Sequence, residues 1–284
     1  MKTGKKIFLP LLIGLVQLVW LPVGQAQIKL SVDTLECPIV GFGVGLVAPS
    51  GGNSYAFALD GSKSADGTMA TLYDAPYLDF TINSAFKFAS NWLITLDGDL
   101  WFGLSGDNLT HRKERMGDIF SGEVLLGFGG YDGVVTCYNR ALMARIGVGN
   151  IQPIIKGNPN SGIMLRLTGG PIWQRTVFAQ NLNESPVPQL NERYRRIYDH
   201  YRSGIILTEG IGLWFMSNYL NLINFSVELQ VSQCLTWPVR AYTLDNYLGL
   251  NGKDEHTYLD FLFGLKFTWM FPLKGKTSYD YYLF

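Results

Sequence analysis

From Tyr258 to Phe271 the chain alternates between apolar and polar residues almost without a break. Leu259, Phe261, Phe263, Leu265, Phe267, Trp269 and Phe271 fall on one face, and Tyr258, Asp260, Gly264, Lys266 and Thr268 on the other. Only Leu262 and Met270 are apolar and out of phase. A period of two belongs to a β-strand whose two faces meet different surroundings. The pattern returns in Ile223, Phe225, Val227, Leu229 and Val231 against Asn224, Ser226, Glu228, Gln230 and Ser232. Strands of soluble proteins average about 5–6 residues. Alternation over roughly 10 residues or more, with aromatic ends, fits strands that cross a membrane within a closed barrel.

Composition agrees once the two faces are separated. Hydrophobic residues make up 47% of the 284 positions and charged residues only 16%, against about 25% charged in soluble domains. Mean hydropathy is nevertheless only +0.10, because an inward polar face and polar loops offset an outward apolar one. The apolar content excludes intrinsic disorder. The 23 Lys and Arg against 23 Asp and Glu leave no basic excess for nucleic acid, which is not an expected partner.

The first 26 residues read as a signal peptide. Lys2, Lys5 and Lys6 precede an apolar stretch from Ile7 to Leu21, about 15 residues and short for a spanning helix. Gly24-Gln25-Ala26 supplies small residues for cleavage after Ala26, and no Cys follows to mark a lipoprotein. Loss of three lysines and no acids takes the net charge from zero to about −3. The expected organisation is 1–26 signal peptide, 27–39 periplasmic N-terminal segment, 40–272 barrel and 273–284 C-terminal tail, in a protein integral to the outer membrane.

Strand candidates are Val40–Ala48, Tyr77–Phe88, Trp92–Leu104, Tyr138–Ile151, Gly162–Val177, Ser203–Phe215, Leu220–Trp237 and Thr257–Phe271. Tight-turn compositions at Ser90-Asn91, Lys156–Asn160 and Ser217–Tyr219 mark the periplasmic side. Long links over 59–76, 105–137, 178–202 and 238–256 mark the outside. Short and long links alternate correctly if Ile119–Gly129 lies inside the second long link. The expectation is an all-β, up-and-down antiparallel transmembrane barrel of eight strands. A ten-stranded barrel using Ile119–Gly129 and Val134–Cys137 is the runner-up.

The run Gly157-Asn158-Pro159-Asn160-Ser161-Gly162, with Leu165, Gly169-Gly170 and Trp173-Gln174, resembles a family of small outer-membrane β-barrels of Bacteroidota. So do Tyr198-Asp199, Leu207, Gly210, Ser217-Asn218, Leu222–Phe225 and Phe261–Leu265. The resemblance spans residues 138–272 and implies eight strands rather than any chemistry. It also implies a class of function, since some small barrels of that phylum are subunits of assembly or secretion machinery.

The inward phase carries Asp79, Lys87, Asp97, Asp99, Arg145, Arg166, Glu228, Asp260 and Lys266. An eight-stranded barrel is just wide enough for side chains to fill, so these charges are expected to pair as a plug. The competing reading is a narrow pore. In the outward phase of Ser203–Phe215, Glu209 faces hydrocarbon. A bulge, a protonated carboxyl or a protein partner explains it, with Gly210 and Gly212 giving that partner close approach. Arg193, Tyr194, Arg195, Arg196 and Tyr198 in the third long link form a second partner-binding candidate, or one for outer-membrane lipid and lipopolysaccharide phosphate.

Catalysis has little footing. His111, His200 and His256 fall in or beside the outer loops, and Asp199, His200 and Ser203 are the best set for a rim-located lipid-modifying enzyme. Residues 60–67 lack the acid density of a calcium loop. Cys137 and Cys234 near strand ends are a possible disulfide that the strand order disfavours. No cofactor or metal is expected. The sequence reads as a non-enzymatic barrel serving as scaffold or accessory subunit of an outer-membrane complex, with the rim enzyme and the pore as alternatives.

Overall fold

Alternating side chains force each strand to hide one face and show the other, and eight strands satisfy this by closing on themselves. The computed structural model describes residues 34–49, 55–57, 76–104, 107–108, 120–121, 124–131, 133, 135–180, 186–191, 195–196, 199, 201–217, 224–239 and 257–273. The barrel strands are β1 (Cys37–Pro49), β2 (Tyr77–Lys87), β3 (Trp92–Gly103), β4 (Val135–Pro153), β5 (Gly162–Gln180), β6 (Arg202–Phe215), β7 (Phe225–Pro238) and β8 (Thr257–Pro272). Each pairs antiparallel with its sequence neighbours, and β1 pairs with β8 from Ile39↔Pro272 to Pro49↔Leu262. This is an up-and-down transmembrane β-barrel with no free edge.

The ten-stranded runner-up is overturned. Within the expected ninth segment, Phe120–Ser121 pairs only with Val124–Leu125 in a two-stranded ladder apart from the barrel. Asp107–Asn108 and Tyr55–Phe57 extend the sheet only as short ladders beside β4 and β8. Asp107–Asn108 lies within the link 105–137, and Tyr55–Phe57 between β1 and β2, just before the expected start of the link at 59. Strand ends also shift: β1 begins at Cys37, β4 and β5 each run 19 residues, and β7 begins at Phe225 rather than Leu220.

The outer wall is apolar around the whole circumference, with Phe42, Ile82, Leu96, Ile146, Leu213, Leu229 and Phe263 all exposed. A water-soluble monomer does not expose a continuous apolar belt of this size. Aromatic pairs ring the short-turn end, where Phe215 stacks on Phe225 at 5.4 Å and Phe225 on Phe267 at 5.9 Å. Such girdles mark the membrane interface.

That end is closed by the motif at 157–162. Gly157 adopts φ +83°, which a glycine takes without strain. The Asn158 amide donates to Ser161 Oγ at 2.9 Å and to the Met216 carbonyl at 3.0 Å. Asn160 Oδ1 accepts from the Leu35 amide at 2.7 Å and from Lys87 Nζ at 3.1 Å. The residues that carry the family resemblance thus knit three parts of the chain into a floor.

Candidate functional site

Inside the barrel the side chains sort into three levels. Nearest the long loops lies an apolar layer of Val47, Tyr77, Trp101, Ala141, Met143, Ile172, Ile206, Cys234 and Leu262, to which every strand contributes. Nearest the short turns lies a second, with Ile39, Leu93, Ile151, Met164, Trp214 and Met270 among its members. Leu262 and Met270, the two residues that break the alternation of β8, are the contributions of that strand to these layers. They are out of place only if the interior is taken as uniformly polar.

Between the layers the charges pair. Arg145 grips Asp99 with Nε to Oδ2 at 3.0 Å and Nη2 to Oδ1 at 2.8 Å, and donates from Nη1 to Thr208 Oγ1 at 2.8 Å. Lys266 Nζ lies 2.7 Å from Asp99 and 3.4 Å from Asp79. Thr81 donates to Asp99 at 2.7 Å. Arg166 holds Glu228 through Nε at 3.0 Å and Nη2 at 2.6 Å, and reaches Asp97 through Nη1 at 2.7 Å. Asn83 donates to the same Asp97 carboxylate. Paired two-point contacts from guanidinium to carboxylate are the strongest hydrogen-bonded ion pairs available to side chains.

All nine expected interior charges are buried, but they do not form one network. Seven make the central cluster. Lys87 stands at the floor, in register with Cys37 and Leu93, where it donates to the Leu35 carbonyl at 3.0 Å. Asp260 lies one inward position beyond Leu262, on the long-loop side of the apolar layer. A tenth interior charge, Arg202, is 2% exposed and donates to the Thr236 carbonyl at 2.8 Å. It escapes the sequence because the alternation fixes the phase of a strand better than its end.

Glu209 faces outward, as its phase requires, and its register with Leu167 and Val231 is unbroken, so no bulge re-aims it. Its side chain is nonetheless only 7% exposed, and among the described residues Oε1 has no hydrogen-bond partner. The carboxylate is covered by the protein's own outer wall and offers little to a partner. Gly210 and Gly212 correct the sequence reading further. A β-carbon at Gly210 would overlap the Glu228 carboxylate, and one at Gly212 the Val227 carbonyl. Gly210 therefore makes room inside for the Glu228–Arg166 pair, and neither glycine opens the outer wall to a neighbour. Replacing Glu209 with leucine should raise resistance to urea unfolding in lipid vesicles by about 1–3 kcal/mol, the usual cost of an unsatisfied buried polar group. A drop in stability would mean that the carboxylate is bonded and wanted.

At the long-loop rim, Arg195 and Arg196 are exposed, whereas Arg193, Tyr194 and Tyr198 lie outside the described residues. So do His111, His200, His256 and residues 60–67. Of the catalytic set, Asp199 is buried, and Ser203 sits on the outer wall in register with Trp173 and Trp237. Cys37 and Cys234 are buried, and the Cys137 side chain lies outside the described residues, as does any pairing of it with Cys234. Cys234 packs in the upper apolar layer.

No protein-family model and no curated protein matches the chain. Among solved structures it is similar to Ail, the attachment invasion locus protein of Yersinia pestis, free and in complex with the heparin analogue sucrose octasulfate. Both comparisons give 10% identity over 82% of this chain and 97% of that chain, with TM-scores of 0.34 for the complex and 0.32 for the free protein.

Proposed function

We propose that this chain is a non-enzymatic outer-membrane barrel that works as a scaffold or accessory subunit of a larger outer-membrane complex, in protein assembly or secretion. The short-turn end faces the periplasm and the long loops face outward, as short and long connections do in such barrels. The observation that carries the reading is the solid interior. Eight strands place an apolar layer on the long-loop side of a paired ionic cluster, with a second layer and a hydrogen-bonded floor at the other end. That filling supports a role for the rims and the outer wall rather than for a conduit through the barrel. The resemblance to small Bacteroidota barrels, some of which are machine subunits, points the same way.

The test is purification of the tagged full-length chain from its own outer membrane in mild detergent, with the recovered proteins identified by mass spectrometry. A fixed set of outer-membrane or periplasmic proteins in constant ratio is the expected result. Recovery of the barrel alone, under conditions that leave other outer-membrane complexes whole, would overturn the proposal.

A further inference from the structure

Two arginines on the outer wall are placed where no water-facing or core function explains them. Arg140 on β4 and Arg175 on β5 are cross-strand partners in direct register, and both are exposed. Their phase is that of Leu142 and Trp173, so they leave the barrel on its lipid side near the long-loop rim. Like charges directly opposite each other destabilise a sheet, and among the described residues neither side chain has an ion-pair partner. Arg140 lies over the Phe102 ring at 5.4 Å, which fixes its guanidinium against the wall.

The rest of the site is built around this pair. Just above, a pocket of about 410 Å³ joins Arg175 to Arg195, Arg196 and Tyr201. Among the described residues its one acidic lining residue, Asp199, is buried. The loop is tied down there, because the Thr176 amide donates to the Asp199 carbonyl at 2.7 Å. Just below, an apolar groove of about 520 Å³ runs between Leu100, Phe102, Leu142 and Trp173; Arg140 lines it, and it shares Arg175 and Tyr201 with the upper site. Four arginines thus sit over a lipid-facing apolar groove at the height where headgroups meet hydrocarbon.

We infer that Arg140 and Arg175, with Arg195 and Arg196 above them, bind the phosphate groups of a phosphorylated membrane lipid whose acyl chain lies in the groove below. Guanidinium forks match phosphate oxygens two at a time, and the bound anion removes the repulsion between Arg140 and Arg175. The inference rests on the outer-membrane placement proposed above and specifies which lipid chemistry the wall recognises: phosphate monoesters, as on the glycolipid of the outer leaflet.

The experiment uses the full-length mature chain folded into phosphatidylcholine vesicles doped with bis-phosphorylated lipid A, released in mild detergent for native mass spectrometry. Wild type is expected to keep lipid A bound, and the R140Q/R175Q double variant to lose about tenfold or more in retention, roughly 1.4 kcal/mol. Both residues are exposed, and a heat-dependent gel shift confirms that the variant is folded. If R140Q/R175Q retains lipid A like wild type, the site is wrong. If dephosphorylated lipid A is kept equally well, the groove alone acts and the phosphate assignment fails. Competition by millimolar inorganic phosphate would show a site for the free anion rather than for the lipid, and would overturn the proposal in its lipid form. Because the readout uses the isolated chain, absence of protein partners in the pull-down leaves it standing.

Discussion

Replacing Asp99 with alanine is expected to leave a barrel that no longer refolds to a stable state. That carboxylate takes two hydrogen bonds from Arg145, one from Lys266 and one from Thr81. Its loss strands two cations, with only Asp79 at 3.4 Å left beside Lys266. Breaking one buried pair from a single side costs about 3–5 kcal/mol, and two are broken here. Native proteins have only about 5–15 kcal/mol in total. Urea titration in vesicles, read by tryptophan fluorescence and heat-dependent gel mobility, gives the answer. A companion variant separates lost charge balance from lost packing, with Asp79, Asp99, Arg145 and Lys266 together replaced by apolar residues of similar volume. It should regain most of the stability, because whole buried ion clusters exchange for well-packed apolar ones at little net cost. An Asp99→Ala barrel as stable as wild type would show that the interior is held by its apolar layers alone.

Gly210→Val should be nearly as damaging, and for a reason outside its own strand. A side chain there displaces the Glu228 carboxylate from Arg166, leaving Arg166 with Asp97 alone. Overpacking costs about 1–3 kcal/mol, and the broken pair adds its own penalty. Shortening the obstacle tests the coupling. Glu228→Ala alone should destabilise, yet the double variant Gly210→Val with Glu228→Ala should be more stable than the sum of the two losses predicts. Neighbours of this kind give interaction energies of about 0.5–3 kcal/mol in a double-mutant cycle. Strict additivity would mean that the glycine and the carboxylate do not share the same space.

Most of this architecture is legible in the chain because one rule, the two-residue period, decides both direction and company. It places Asp79, Asp97, Asp99, Arg145, Arg166, Glu228 and Lys266 inside before any geometry is known. The same rule corrects the reading of Glu209. If Glu209 points out, its neighbour Gly210 must point in, and its small size answers to an interior carboxylate rather than to an outside partner. Arg140 and Arg175 were equally open to view, two positions beyond the apolar Leu142 and Trp173 in the same phase. Only strand pairing sets them opposite each other, and register between strands is not written in either strand alone.

What stays hidden is also physical. Asp260 and Lys87 share the phase of the central cluster but differ in height, and height along the barrel depends on strand stagger. Arg202 was lost to a strand boundary drawn one residue late. The apolar breaks at Leu262 and Met270 acquire meaning only when they are seen with the residues of the other strands that share their layers. The Asn158–Ser161 turn looked like a family signature, and its role as a floor emerged only through partners as distant in sequence as Leu35 and Met216.

The inward face of β1 has its own lesson about assembly. At Gly41, Gly43 and Gly45 this strand puts no side chains inside, and a β-carbon at Gly45 would come within 2.9 Å of the Leu265 carbonyl. Over that bare strip Lys266, from the last strand, reaches past β1 to Asp79 and Asp99 on the second and third. The final strand therefore adds its own cation to carboxylates that Arg145 has only partly answered. Until β8 arrives, Asp79 has no Lys266 beside it, so closing the ring and completing this ion cluster are a single event.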